Sequence, residues 1–484
     1  MKKLTKILSV AMASAMMLSM TACGGGGSTG SGGGGSSSGL KLKVNENATK
    51  EIVFEYLLAG FGNDPYYAVA NAYMERNPDV QIMPYGNKDI RGTAQNNVAS
   101  GTGVSDIYCY PDDSIKMWIK DGLLEDLSSL CQQETLDGRT MYDSMTGTAA
   151  QAISANGKTY AIPEYTSVTG LVYNQDLFEE HGWTVPQTTK ELEELCEKII
   201  DAGITPITWC KEAEGYLYFA TENWISQYAG VENMEKFYSY ESAEIYALED
   251  NDAGSLYTAK KLALQNLVKF FTPMKEGGYA ADDSRTVSYT NAQLSILEGD
   301  VAMMLNGSWF YNEMKGVWMD ERVGIFPMPE ITDDQGNILR DADNPVSNGR
   351  VMTADYGAYY FIPTNAPDKE TAKDFLLYLS SKEACEIYTQ YANTIRPFDY
   401  DVSETTELYS NISNFGKSVL EMADSCVLYA PVSNSPMDLK GKAGLWPRGR
   451  REESEIMKKG SDTNPDYWLS QDYSFAKANW KDWI

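Results

Sequence analysis

Histidine is nearly absent. The chain has 484 residues and one histidine, His181. Followed by Gly182-Trp183, it reads as a helix end, where histidine suits the C-terminal dipole and glycine the cap. An imidazole-based metal site needs more than this, and a Ser-His-Asp triad has no better-placed base. Positive charge is also scarce: 40 Lys and Arg face 68 Asp and Glu, a net charge of -28. The first 22 residues hold three lysines and no acids, so their removal leaves about -31. Such a surface repels phosphate backbones and anionic lipid, which excludes nucleic acid as a partner. Cysteines number seven, none with CxxC spacing. An exported chain could pair them. Cys109, Cys131, Cys196, Cys210, Cys385 and Cys426 are expected instead as buried free thiols, since several sit in apolar runs. There is no nucleophile elbow, HExxH helix or phosphate loop.

What is present points to a folded, exported protein. Hydrophobic residues are 43% and charged residues 22%, a soluble globular composition. The length exceeds what one core supports, so two or more domains are expected. Aromatics reach 12%, with 32 Tyr and 10 Trp. Their flat faces and polar tips suit sugars, whose C–H faces stack while hydroxyls bond sideways. The acidic balance favours neutral sugars over anionic ones.

Residues 1–22 read as a secretory signal peptide: Lys2, Lys3 and Lys6 precede an apolar run, 7–20, too short to span a membrane comfortably. Met20-Thr21-Ala22-Cys23 resembles the lipobox of bacterial lipoproteins. That resemblance implies a lipid anchor on Cys23 and a protein held at the cell membrane, facing outward. Residues 24–39 are almost wholly Gly and Ser, so 23–47 is read as anchor and tether, its flexible part reaching roughly 20–25 Å.

The fold is expected to begin near Thr49. A strand-like run at 52–58 leads to a helix with Asp64 as N-cap and Pro65 at its first position. Strand-like runs at 80–84 and 107–110 follow, each after a helix. This alternation predicts parallel strands with right-handed crossovers. Loops at the carboxyl ends of such strands line ligand crevices. They supply Asn63, Asp64, Tyr110, Asp112 and Asp113 as candidate ligand-binding residues.

The stretch 157–175, GKTYAIPEYTSVTGLVYNQ, holds two strand-like runs without a hairpin signal, as if leaving one body for another. Pro163 should end pairing, which puts Glu164, Tyr165 and Ser167 between the bodies, where small-molecule sites form. A second α/β body follows. Thr188 and Glu191 have capping-box spacing, as do Ser380 and Glu383. The aromatic stretch 214–228 contains Tyr216, Tyr218, Phe219 and Trp224. Most are expected in the core; Trp224 is carried as a ligand candidate. In 292–314 a helix ends at Gly299, a buried strand spans 301–305, and Asn306-Gly307-Ser308 opens another helix. Trp309 then stands beyond the strand's carboxyl end, the ligand-facing position.

In order and spacing, 157–174 and 298–309 resemble the family 1 extracellular solute-binding proteins, the maltose-binding type of sugar receptor for ATP-driven importers. The likeness covers roughly 50–395. It implies a periplasmic-binding-protein-like α/β fold of two lobes, each a mostly parallel sheet flanked by helices, with three crossings between them. The first lobe would comprise 48–164 with 357–395, the second 165–356 with 396–484. Trp309 would be the stacking residue of the second lobe, faced by Tyr110 and Asp112-Asp113 on the first. Glu164–Ser167 would lie at the first crossing, Tyr356 at the second and Arg396 at the third. The family implies a monomer that binds a sugar or oligosaccharide and docks on a membrane permease, with no catalysis, cofactor or metal. Two other classes stay open: a glycoside hydrolase using paired carboxylates, and a surface adhesin. Residues 400–484 match no pattern, and Trp446-Pro447-Arg448 is given a structural role.

Overall fold

The computed structural model describes residues 39–111, 114–152, 154–155, 157–315, 317, 322–431, 444–448 and 452–483. All belong to the compact unit Gly35–Ile484. The expected signal peptide, Cys23, most of the expected tether, Asp112 and Asp113 lie outside the described residues.

The first sheet grows from β1 (Lys50–Leu57), α1 (Asp64–Arg76), β2 (Val80–Asn87), α2 (Ile90–Ser100) and β3 (Ile107–Tyr110). Alternation in β1 drives Ile52, Phe54 and Tyr56 into the core, each fully buried. On the opposite face Glu55 is also buried, and is satisfied by Asn87 (2.7 Å) and Ser105 (2.7 Å). β1 pairs in parallel with β2 and with β3, as the helix-strand alternation requires. Asn63, rather than Asp64, occupies the N-cap of α1, and its side chain accepts from the Tyr56 hydroxyl (2.6 Å) instead of capping.

Two remote strands complete this sheet. β4 (Ile162–Pro163) is the far edge, and a strand from 359–361 lies antiparallel between it and β3. Helices from 369–379 and 382–392 pack Phe375, Tyr388 and Ala392 into the same core. The second of these is capped by Ser381, whose side chain accepts from Ala384, one residue later than the expected box.

From β4 the chain passes through β5 (Thr166–Ser167) into β6 (Thr169–Asn174) of a second sheet. There α3 (Gln175–His181) ends at Gly182, whose φ of 65° is the left-handed cap a Cβ would strain. The capping box of Thr188 and Glu191 opens α4 (Thr189–Asp201), followed by β7 (Thr205–Thr208), α5 (Leu217–Tyr238), α6 (Tyr257–Phe271), α7 (Tyr289–Glu298), β8 (Val301–Gly307), α8 (Phe310–Met314) and β9 (Val323–Phe326). The sheet order is β9-β6-β8-β7. Here the expectation of a mostly parallel sheet fails: β6 is antiparallel to both β8 and β9, and only β8 and β7 run parallel. β6 arrives from the neighbouring body rather than through a helical crossover, so the handedness rule for parallel units does not govern it.

β10 (Val351–Thr353) belongs to the second body, β11 (Asp355–Tyr356) pairs with β5, and β12 (Tyr359–Phe361) is the antiparallel strand of the first sheet. Thr166 also accepts a third segment, its N–H donating to the Ile395 carbonyl (2.9 Å). Three passages between the sheets therefore lie side by side. The last runs differently from expectation: Phe398, Tyr400 and Leu408 pack back into the first core, and only at α9 (Asn414–Asp424) does the chain join the second. The unplaced C-terminal region is core material. Trp468, Leu469, Trp480 and Trp483 of the final helix (Pro465–Trp483) pack into the second body. Trp446 joins them, its indole donating to Glu453 (2.8 Å). Beside it Lys260 is buried with its ammonium against Phe237, Tyr246 and Trp446, donating to the Leu445 carbonyl (2.9 Å). Burial pushes this lysine down to about 8.

Among the described residues no helix is long and apolar enough to cross a membrane. The six cysteines among the described residues are free thiols, five of them buried.

Candidate functional site

Trp309 is the N-cap of α8, at the carboxyl end of β8. One face of its indole rests on Gly307, where any Cβ would enter the ring. Its edge meets Tyr216 (5.5 Å) and Phe219 (5.9 Å) in T-shaped contacts, a geometry aromatic pairs favour. Its N–H donates to the Tyr289 hydroxyl (3.3 Å). Tyr289 in turn donates to the Glu313 carboxylate (2.8 Å), which also accepts from Gln293 (2.7 Å). Trp309 and Glu313 are four residues apart, as are Tyr289 and Gln293, so each pair shares a helix face.

The first sheet supplies the opposite wall. The loop after β1 brings Gly60 so close that a Cβ there would stand 2.7 Å from Trp309 Cβ. Phe61 follows, edge-on to Tyr165 at 4.8 Å. Between these walls lies a cavity of about 210 Å³. Its walls include Phe61, Tyr66, Tyr165, Tyr216 and Trp309, with the carboxyl groups of Glu164 and Glu313. A second cavity of about 510 Å³ adjoins it through Tyr216 and is walled by Phe219, Tyr289 and Glu212. This second volume falls in the ~300–1,000 Å³ typical of small-molecule pockets.

Glu164 forms part of the cavity floor and is almost wholly buried. Burial raises its carboxyl above the usual range, against opposing hydrogen bonds from Cys109, Tyr66 and Tyr388. The Tyr388 hydroxyl donates to it at 3.0 Å. Arg396 lies behind. Its guanidinium donates to the carbonyls of Glu164 (2.8 Å) and Leu379 (2.8 Å) and sits against Tyr388, Tyr360 and Phe398. Burial likewise raises Glu313, opposed by Tyr289 and Gln293. The arrangement can stack a flat apolar face and accept hydroxyl protons. Among the described residues no group of acids, cysteines or histidine could hold a metal ion.

Of the expected site residues, Trp309, Glu164 and Tyr165 meet at the cavity. Asp112 and Asp113 lie outside the described residues, and the remaining ones are placed elsewhere. Tyr110 is fully buried on β3 with its ring 5.6 Å from Phe361, because every side chain of this central strand is covered on both faces. Trp224 is fully buried in the second core and donates to the Pro329 carbonyl (2.9 Å). Arg396 is buried away from the cavity, its Nε and Nη1 donating to backbone carbonyls and its guanidinium packed on rings. Tyr356 hydrogen-bonds Thr148 (3.0 Å), and Ser167 is buried in the β5–β11 pair. Asn63 is held by Tyr56, and Asp64 lies in the first turn of α1; neither lines the two cavities described above. The residues missed are Gly60, Phe61, Tyr66, Tyr216, Phe219, Tyr289 and Glu313. Helical phase held part of the signal. Trp224 is five residues past Phe219, a turn of roughly 140° at 3.6 residues per turn, so the two face opposite ways.

The model of the family described as bacterial extracellular solute-binding protein matches residues 62–384. A maltotriose-binding protein of Pyrococcus abyssi is 24% identical over 269 residues, 56% of this chain and 51% of that protein. A diacetylchitobiose-binding protein of Streptomyces coelicolor is 24% identical over 277 residues, 56% of this chain and 54% of that protein. The chain thus matches about half the length of these curated relatives. The structure of RafE from Streptococcus pneumoniae, without ligand, superposes with a TM-score of 0.63 at 17% identity, covering 90% of this chain and 100% of that one. That likeness is one of fold.

Proposed function

The chain belongs to the bacterial extracellular solute-binding proteins, and from that premise we propose that it is the sugar-capturing receptor of an ABC importer. A sugar or oligosaccharide enters between the two sheets, the lobes close on it about the three passages, and the closed form docks on a membrane permease. The observation that carries this reading is the cavity walled by Trp309, Tyr216 and Phe61 from both bodies, with hydroxyl acceptors at its floor. The relatives named for maltotriose and diacetylchitobiose support oligosaccharides as the ligand class. Cys23 carries the lipid anchor, the Gly/Ser tether holds a monomeric receptor outside the membrane, and no catalytic step follows binding. The lobes comprise roughly 48–164 with 357–408, and 165–356 with 409–484.

A thermal-shift screen over mono- and oligosaccharides tests the reading, since selective binding raises the melting temperature. Scattering on the best ligand should show compaction, and prolonged incubation should return the sugar intact. Released product supports a hydrolase, and binding without compaction an adhesin. No shift with any sugar overturns the assignment.

A further inference from the structure

Glu313 has two oxygens with different duties. Oε2 accepts from Tyr289 (2.8 Å) and Gln293 (2.7 Å), two groups on one face of α7. Oε1 is turned the other way, across the cavity, 3.7 Å from where a Cβ on Gly60 would stand. The carboxylate is therefore held by one oxygen and presents the other beside the Trp309 indole. Glu164 is the other carboxylic acid on the wall of the first cavity, and among the described residues no Lys, Arg or His lines either cavity. An anionic group entering here meets the like charge of Glu313, with no cation among the described lining residues to offset it, in surroundings where such interactions are screened weakly.

We propose that Glu313 is the specificity-determining residue of the site: Oε1 accepts a hydroxyl from the sugar ring lying against Trp309, and its charge rejects sugars that carry a carboxylate or phosphate at that position. The proposal rests on the sugar-receptor reading and goes beyond it by naming the filter. Because Tyr289 and Gln293 fix the carboxylate before ligand arrives, the bond forms without ordering a loose side chain. Charge-assisted bonds of this kind are roughly twice as strong as neutral ones.

The test is calorimetry on the full mature chain with the tightest neutral sugar from the screen and its uronic-acid counterpart. Wild type should prefer the neutral sugar by at least ~10-fold, in keeping with like charges meeting in a weakly screened site. Glu313→Gln, nearly the same shape, should weaken the neutral sugar by ~10-fold or more and narrow the gap to the uronate. Glu313→Asp, which keeps the charge but withdraws the oxygen, should weaken the neutral sugar and still reject the uronate. Equal affinity of wild type for both sugars overturns the proposal whatever the variants do. So does an unchanged Gln variant, or one weakened equally for both. If Trp309→Ala loses binding while Glu313→Gln does not, the receptor stands and the filter falls. If no sugar binds wild type, both fall.

Discussion

Replacing Gly60 with alanine puts one methyl group where the two bodies touch. The new Cβ would stand 2.7 Å from Trp309 Cβ and 3.4 Å from its Cγ. Trp309 Cβ is fixed to the backbone at the β8–α8 junction, so no rotamer carries it away. Carbon atoms settle at ~3.5–4.0 Å, so the walls must part locally by roughly 1 Å. Overpacking of this size costs ~1–3 kcal/mol. If ligand is held with the walls together, that is about 5–150-fold in affinity. The cost falls on the meeting of the two walls and not on either core, so the unliganded melting temperature should move by no more than about 1 °C, because ~1 kcal/mol shifts it by only about that much in a chain this long. Calorimetry with the best sugar, beside a thermal melt, measures both. Affinity within twofold of wild type refutes the reasoning, because the walls would then not need to meet. A collapse in melting temperature refutes it as well, by placing Gly60 inside a core.

Trp224→Ala and Trp309→Ala should separate stability from binding. The first leaves a cavity in the second core and should cost ~3–5 kcal/mol by urea denaturation. The second should leave the melt nearly unchanged and weaken sugar binding by at least ~1 kcal/mol, the scale of an aromatic stack; reversal of this pattern sinks both placements. Arg396→Met strips the carbonyls of Glu164 and Leu379 of their donor and leaves the Glu164 charge without its neighbour, so a loss of ~3–5 kcal/mol is expected, and a fully stable variant contradicts it. Glu452 is fully buried against Asp472, and burial and that neighbour raise its carboxyl from 4.5 to about 8. The folded state thus holds this proton more tightly than the unfolded chain. The stabilisation is complete below pH 4.5 and is lost as pH rises towards 8, at up to ~1.4 kcal/mol per unit. Glu452→Gln should flatten that part of the stability profile, and an unchanged slope rules the assignment out.

The parts of this molecule legible in the sequence are those set by local rules. The parallel strands β1 to β3 follow from helix-strand alternation, the caps at Thr188 and Gly182 from side chains within one turn, and Trp309 from its place just past a buried strand. What stayed hidden depends on partners distant in the chain. Nothing in 107–110 says that a strand from 359–361 will cover its open side, so Tyr110 looked accessible. Nothing near Arg396 reveals that two carbonyls, one of them 232 residues earlier, will hold its Nε and Nη1. The antiparallel entry of β6 belongs to the neighbouring body, not to its own segment. Glu313 is the exception. It stood one helical turn from Trp309, and among so many acids the spacing alone could have singled it out.

The interleaving of β12 between β3 and β4 bears on how the nascent polypeptide matures. Until residue 361 has left the ribosome, β3 has a bare edge ready to pair with any extended neighbour. The amino-terminal half therefore cannot finish early and wait for its successor. A product cut short before this strand should therefore be found aggregated or degraded rather than as a separate half.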